Sequence, residues 1–418
     1  MTIPLRKRHL AAAVTGNALE FYDFTTYAYF AIQIGHSFFP SHDAFISLMA
    51  ALVTFGAGFV MRPIGAIIIG RYADRIGRKP AMLLSFGMMG AGVLGLAITP
   101  SYTAIGIAAP IIVVLLRLIQ GFALGGEVGP TTSFLMEAAP PEKRGLYGAL
   151  QFASQGISTL LAGIAGVVLA NLLNAQQLED FGWRIALALG ALVVPIGLII
   201  RRSIPETLHA GPALPLGRAD ARVWRTAIIG LLVIMGSTTS FYVVSFLSTY
   251  AQAYLHMKIN VSFASTLIFG VCNAVFSLIG GALSDRFGRR PVMIWPRVLL
   301  LAAIYPAFLL ITAQRNVFAL LVATAGLAIL AQSSGAVSLV AITEALPKRV
   351  RSTAMATVYA LGVATFGGTT QPIVTWLIHR TGNIFAPAWW MITTTALCIG
   401  ALLMLEETAP VKVGNTEF

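Results

Sequence analysis

Residues Gly70 to Pro80 read GRYADRIGRKP, and residues Gly281 to Pro291 read GALSDRFGRRP. Each copy crowds acidic and basic side chains into one short phrase of a chain in which only 11% of residues are charged. The copies stand 211 residues apart in a chain of 418. A second pair has nearly the same offset, since Glu137 and Arg144 of EAAPPEKR return as Glu344 and Arg351 of EALPKRVR, 207 residues on. A looser echo sets PET at Pro205 against EET at Glu406, 201 residues on.

Between these phrases the chain is apolar. Hydrophobic residues make up 57% of it and the mean hydropathy is +0.81, whereas a soluble domain carries roughly 25% charged residues. Runs of about 20 apolar residues recur, each long enough to cross a hydrocarbon core about 30 Å thick. Twelve are read, near 10–34, 45–69, 81–99, 105–136, 146–173, 183–201, 223–254, 260–283, 292–312, 317–345, 352–378 and 385–405. Six spans separate the members of each repeated pair, and an even number returns the chain to the same face. The expected fold is therefore an all-α integral membrane protein of twelve transmembrane helices in two parallel six-helix bundles. The bundles are expected at 1–201 and 223–418, joined by a hydrophilic cytoplasmic linker at 202–222 that holds Pro205, Pro212 and Pro215.

The formal net charge of +12 could suggest a nucleic-acid partner, but its distribution points to topology. Of the 28 Lys and Arg, 21 lie at or beside alternate loops, and four (Arg184, Lys258, Arg315 and Arg380) lie on the intervening ones. That bias places both termini and every basic loop in the cytoplasm, with no nucleic acid as partner. The first run, after the basic RKRH, is too long for a signal core and is expected to stay as the first helix. Cys272 and Cys398 sit in apolar runs without metal-type spacing and read as packing residues, so neither metal nor cofactor is expected.

Chemistry is expected where charge lies deep in the bilayer, because an ionisable group there is costly unless paired or hydrated. The first span reads GNALEFYDFTTYAYF, and a helical wheel puts Asn17, Glu20, Asp23, Phe24 and Tyr27 on one arc facing an interior. Two carboxylates one turn apart repel, which favours a proton on one of them and suits both to carrying protons. The fourth span, RLIQGFALGGE, sets Arg117 and Gln120 on one side, with Gly121, Gly125 and Gly126 allowing close helix approach. Glu127 falls about 15 Å nearer the cytoplasm. An arginine keeps its proton and needs an anion. Arg117 is read as pairing with a first-span carboxylate when empty and with a substrate carboxylate when loaded; the alternative is a static buried pair.

Two further cations are in spans. Arg62, in FGAGFVMRPIGA, either stands in the cavity or snorkels toward the inner surface; Arg297, a few residues inside the ninth span, is expected to snorkel. Neutral polar residues complete the expected lining, about half of them serving only to glue helices: Gln151, Ser154, Gln155 and Ser158, then Thr238, Thr239 and Tyr242 of STTSFYVVS, then Asn273 and Gln332.

The pattern of Gly, three residues, Asp-Arg, one residue and Gly-Arg-Arg/Lys resembles the loop signature of the major facilitator superfamily, in which two bundles rock about a central site. The resemblance gives Gly70, Asp74, Arg75, Gly77 and Arg78, with Asp285, Arg286, Gly288 and Arg289, a place in a cytoplasmic gate. Ion pairs there, with Glu137, Arg144, Glu344 and Arg351 nearby, would latch one state and release the other. GNALEFYDF, GFVMRPIGA, RLIQGFALGGE, the Thr-Thr, one residue, Phe-Tyr of the seventh span, TEALPKRVR and FGGTTQPIVTWLIHRTGNIFAPAWW together resemble the metabolite:proton symporter branch. Within it they are most similar to citrate and tricarballylate symporters, and the chain departs from them at Pro130 and at Gln371 beside Pro372.

The resemblance implies import of a small organic acid together with protons across a lipid bilayer. Arg117, Asn17, Gln120, Tyr27, Arg62, Gln155, Thr239, Tyr242, Asn273, Gln332 and Gln371 are the candidate substrate contacts; Glu20, Asp23 and Glu127 are the candidate proton carriers. Physics favours the same class, since a carboxylate entering against an inside-negative potential meets about 2.3 kcal/mol per charge per 100 mV. A monocarboxylate or a betaine-type osmolyte would share the frame. Drug antiport is disfavoured because LQFASQGISTLLAGIAGVVLA of the fifth span lacks the Gly-Pro element that such antiporters carry there. No nucleophile elbow, phosphate loop or paired metal ligand suggests an enzyme.

Overall fold

The structure, a computed structural model, describes residues 7–125, 135, 139–202, 221–347 and 351–414. Residues 203–220 of the expected linker and Glu127, Glu137, Lys348 and Arg349 lie outside them, while the linker's expected ends, Arg202 and Ala221–Arg222, belong to helices; for Asp74, Arg78 and Arg351 the helical backbone is described and the side chain is not. The described elements are helices. Nine of them are long and apolar enough to cross a membrane by length and composition. The other three spans are helical too: Lys7–Tyr29, continued by Ala31–Phe38; Trp183–Arg202; and Arg351–Gly362, followed by a π-helical turn at Val363–Gly367 and by Gly368–Thr381. The twelve spans form the two six-helix bundles of the expected fold.

Local chemistry explains why the repeated phrase ends in Gly-Arg-Lys/Arg-Pro. Gly77 and Gly288 adopt φ of 126° and 106°, which lets one helix stop and the next start at once at Arg78 and Arg289. Pro80 and Pro291 then fall in the first turn of the new helix, where a missing N–H costs no hydrogen bond. On the opposite face the second span, Ala44–Val60 continued by Arg62–Ile76, starts at Asp43, whose Oδ1 accepts from Phe45 N at 2.8 Å. The tenth, Val317–Ala345, starts likewise at Asn316. The end of the third span, Arg78–Ile98, is capped by Arg184 Nη1, which donates to the carbonyls of Ala97 at 3.0 Å and Thr99 at 2.5 Å.

The second repeated phrase and its neighbours converge on the face that carries the basic loops. Asp285 closes the eighth span, Ile259–Phe287, and accepts from Gly145 N at 2.7 Å and Leu146 N at 2.9 Å. Those are the first amides of the fifth span, Arg144–Leu172, so a carboxylate of one half caps a helix of the other. Arg289 joins Asp285 at 2.6 Å to Glu344 at 3.0 and 3.1 Å. The EET echo belongs to the same cluster: Glu407 accepts from Arg289 N and Arg290 N at 2.8 and 3.1 Å, and Thr408 donates to Glu344 at 2.8 Å. Arg75 and Arg286 are exposed, and Arg144 is buried.

Two seams join the halves. Along the first, spans five and eight pack through most of their length. A Cβ at Gly281 would meet the Gly145 carbonyl at 2.5 Å, one at Gly163 the Leu267 backbone at 2.9 Å, and one at Gly156 would strike Ala274 N. Along the second, spans two and eleven meet toward the opposite face. The Phe45 and His379 rings stack at 3.7 Å, and a Cβ at Gly56 would lie 2.5 Å from the Gly368 carbonyl. Gly70, which corresponds to Gly281 in the repeat, has no such neighbour within 4 Å among the described residues.

Candidate functional site

The polar arc of the first span faces inward. Asn17, Glu20, Asp23, Phe24 and Tyr27 are all buried. Asn17 is tied to the fifth span, its Nδ2 donating to Ser154 Oγ at 2.6 Å and the Gln151 carbonyl at 3.2 Å. Ser158 Oγ donates to the Ala18 carbonyl at 2.5 Å, so this contact line anchors span one on span five. Tyr27 donates to the Ala51 carbonyl of the second span at 3.2 Å.

The fourth span, Ala108–Gly125, comes close to the second because its glycines face backbone. A Cβ at Gly121 would run into the Gly58 carbonyl, one at Gly125 into that of Arg62, and one at Gly65 into that of Phe122. Gly92 of the third span leaves room for the Gln120 side chain. This close approach sets Arg117 against the first span. Its Nη1 donates to Asp23 Oδ2 at 3.1 Å and to Gln120 Oε1 at 2.7 Å, with both Arg117 and Asp23 buried. Its guanidinium lies 3.8 Å from the Tyr27 ring centre. Its Nε and Nη2, with Asp23 Oδ1 and Gln120 Nε2, have no hydrogen-bond partner among the described residues. The pair is complete in charge and half complete in hydrogen bonds.

Arg62 stands elsewhere. It does not snorkel: it is 3% exposed and lies on the wall of a cleft between the two halves. Gln155, Ser237, Tyr242, Ser338 and Tyr359 line the same cleft. None of the three guanidinium nitrogens of Arg62 has a hydrogen-bond partner among the described residues. The group is held by two rings, Phe59 at 3.9 Å and Phe24 at 4.8 Å, and Phe24 has Arg117 at 5.4 Å as well. A layer of aromatic rings closes the cleft on the side of the opposite face. Phe24, Phe55 and Phe59 pack on one another at 5.1 to 5.8 Å, and Tyr242 of the seventh span, Ala221–Ala253, meets Phe55 at 6.1 Å and Phe59 at 5.6 Å across the boundary between halves.

The other expected residues scatter. Gln155 and Tyr242 reach the cleft. Thr239 and Gln332 are buried without lining it. Asn273 accepts from Ser277 at 3.2 Å within its own helix, and Gln371 donates to Ser245 at 3.2 Å, tying span eleven to span seven. Arg297 corrects the snorkelling expectation. It is fully buried, because hydroxyls from two neighbouring helices enclose it more cheaply than a path to water would: Nε donates to Ser334 Oγ at 3.0 Å, Nη1 to Ser240 Oγ at 2.8 Å and the Gly236 carbonyl at 3.2 Å, and Nη2 to Ser237 Oγ at 2.8 Å. Tyr359, Ser338 and Gly335 of the cleft were not expected. The serine spacings of spans seven and ten were the legible hint, since they place hydroxyls in register with a cation inside span nine.

Two family models match the chain: Sugar (and other) transporter over residues 9–209 and Major Facilitator Superfamily over residues 230–418. Citrate-proton symporters of Salmonella typhi and Klebsiella pneumoniae are 34% and 35% identical, over 94% and 92% of this chain and 92% and 88% of theirs. The proline/betaine transporter of Escherichia coli (strain K12) is 28% identical over 96% of this chain and 84% of its own length. Among solved structures, the partially occluded inward open conformation of the xylose transporter XylE from E. coli aligns with a TM-score of 0.78 at 18% identity, covering 96% of this chain and 98% of that one, a likeness of fold. The chain is a multi-pass membrane protein of the major facilitator superfamily, belonging to its metabolite:proton symporter branch alongside the citrate-proton symporters.

Proposed function

We propose that this protein imports an organic anion with two or three carboxylates, such as citrate or tricarballylate, together with protons, by alternating access. The observation that carries the reading is Arg62, a permanent cation on the wall of the central cleft with no hydrogen-bond partner among the described residues. A buried guanidinium without an anion is costly, and a carboxylate presents the bidentate partner that its geometry fits. The likeness to citrate-proton symporters supports the same substrate class.

The basic face is the cytoplasmic one in this reading, with both termini on it, in a bacterial inner membrane. The halves are 1–201 and 223–418 with 202–222 between them, a division the two family matches support. Asp23 holds Arg117 while it is ionised. A proton reaching Asp23 or Glu20 from outside, with Glu127 as a further carrier, removes that claim, and the two free nitrogens of Arg117 can then share the substrate with Arg62 across the Phe24 ring. Asn17, Gln120, Tyr27, Gln155, Thr239, Tyr242, Asn273, Gln332 and Gln371 shape the path around them. The cluster of Asp285, Arg289, Glu344 and Arg144, with Arg286, Gly288 and Arg351, forms the inner latch on one seam. Gly70, Asp74, Arg75, Gly77, Arg78 and Glu137 supply its counterpart. The substrate leaves chemically unchanged.

A betaine-type substrate is the second reading, favoured by the likeness to the proline/betaine transporter. A quaternary ammonium needs open aromatic faces, and here the Phe24 and Phe59 rings are already covered by Arg62. The test is uptake of radiolabelled citrate into proteoliposomes under an imposed proton gradient. Uptake should rise as the outside is acidified at fixed inside pH, Arg62→Ala should abolish it, and Asp23→Asn should leave exchange while ending proton-driven accumulation. Citrate uptake indifferent to the gradient, or competition by betaine and not by tricarballylate, would sink the reading.

A further inference from the structure

We infer that Arg297, acting through Ser237, is a second carboxylate anchor, and that it sets the preference for substrates with more than one carboxylate. The inference rests on the organic-anion reading above and deepens it.

Arg297 is fully buried, and its four acceptors are three serine hydroxyls and one backbone carbonyl, all neutral. Among the described residues it has no ion pair. Neutral acceptors satisfy the N–H groups of a guanidinium and leave its charge unanswered, which is an unusual arrangement for a cation at this depth. A cage purely for packing would be served as well by an apolar side chain, without the desolvation cost.

The cage has one thin side. Ser237 and Ser338 line the central cleft, and Gly335, also on the cleft wall, sits where a Cβ would lie 3.6 Å from Arg297 Nη2. No side chain at that position stands between the cleft and the cation. Ser237 Oγ accepts from Arg297 Nη2 at 2.8 Å, so its own proton is free to point elsewhere; Ser338 Oγ lies 3.3 Å from it. A hydroxyl that accepts from a cation becomes a stronger donor, and a carboxylate in the cleft is a better acceptor than a second serine. Arg62 on the wall of the first half and the Ser237–Arg297 unit on the wall of the second therefore face one cleft from opposite bundles. An acid with two carboxylates can bridge them; an acid with one can satisfy only one of them. A zwitterion would place its cation against one of two guanidinium groups. Arg297 is a positioning residue here, since Ser237 makes the contact.

The experiment compares uptake kinetics of citrate, succinate and butyrate in proteoliposomes for the unmodified protein, Ser237→Ala, Arg297→Gln and Arg297→Lys. Ser237→Ala removes the relay without touching the buried charge, so it stays informative if Arg297→Gln fails to fold. The expected result is a loss of about ten-fold or more in the preference for citrate over butyrate in Ser237→Ala, carried by KM and not kcat, with Arg297→Lys closer to the unmodified protein than Arg297→Gln. A preference unchanged in Ser237→Ala, or one that falls through kcat alone, overturns the inference and leaves the organic-anion reading standing. If the unmodified protein takes up none of the three acids, that reading fails and this inference with it.

Discussion

The two seams between the bundles are built from the same materials and behave differently. Spans five and eight touch closely from Gly145 against Gly281 to Gly163 against the Leu267 backbone, and Asp285 caps the start of span five. Spans two and eleven touch through Gly56, Gly368 and the Phe45–His379 stack, while Arg62 on one and Tyr359 on the other line a cleft. One seam is packed tightly through most of the length of its helices; the other is tight beyond the aromatic layer and below it makes room for a cleft between Arg62 and Tyr359. A repeat in sequence thus does not impose equal contacts. Gly70 and Gly281 hold the same place in the same phrase, yet among the described residues a Cβ would meet backbone at Gly281 and nothing within 4 Å at Gly70.

The largest expected effect tests the closed seam. Gly156→Val sets a branched side chain against the Ala274 backbone, and because neither helix can retreat the cost should reach or exceed the roughly 1–3 kcal/mol typical of overpacking. A thermal melt followed by size-exclusion chromatography should show little folded protein. Gly56→Val should act on state and not on folding. The protein should melt near the unmodified temperature, lose about ten-fold in uptake, and let an impermeant thiol reagent reach Phe55→Cys from the opposite face. Equal melting losses for both variants would erase the distinction between seams.

Smaller effects separate the two copies of the phrase. Asp285→Asn removes the charge from a helix cap and from the Arg289 pair, for about 1 kcal/mol on the melting curve, with slower transport. Gly281→Ala should destabilise, because its Cβ would meet the Gly145 carbonyl at 2.5 Å. Gly70→Ala should be neutral or stabilising by up to about 1 kcal/mol, the gain of alanine over glycine in an open helix. If Gly70→Ala costs as much as Gly281→Ala, the first copy gains in the working protein the kind of close neighbour that Gly281 already has.

Periodicity made much of this legible. The inward arc from Asn17 to Tyr27 followed from a wheel, and the glycines after Arg117 announced the close approach that sets it beside Asp23. Depth misled for Arg297: counting residues from the span's start gives the distance to water but not the serines of spans seven and ten that meet it halfway. Asn17 shows a different limit. Polarity and an inward face were readable, yet its bonds to Ser154 and Gln151 depend on which helix lies alongside, and spacing within one helix does not contain that.

The π-helical turn at Val363–Gly367 has its own consequence for span eleven. One extra residue in a turn rotates everything after it by about 100° relative to a straight helix. Tyr359 ahead of the turn and Gly368 behind it are thereby phased independently, so one stretch of a single span can aim a phenol into the cleft while the next aims bare backbone at Gly56. A wheel drawn through the whole span assigns one of them the wrong side.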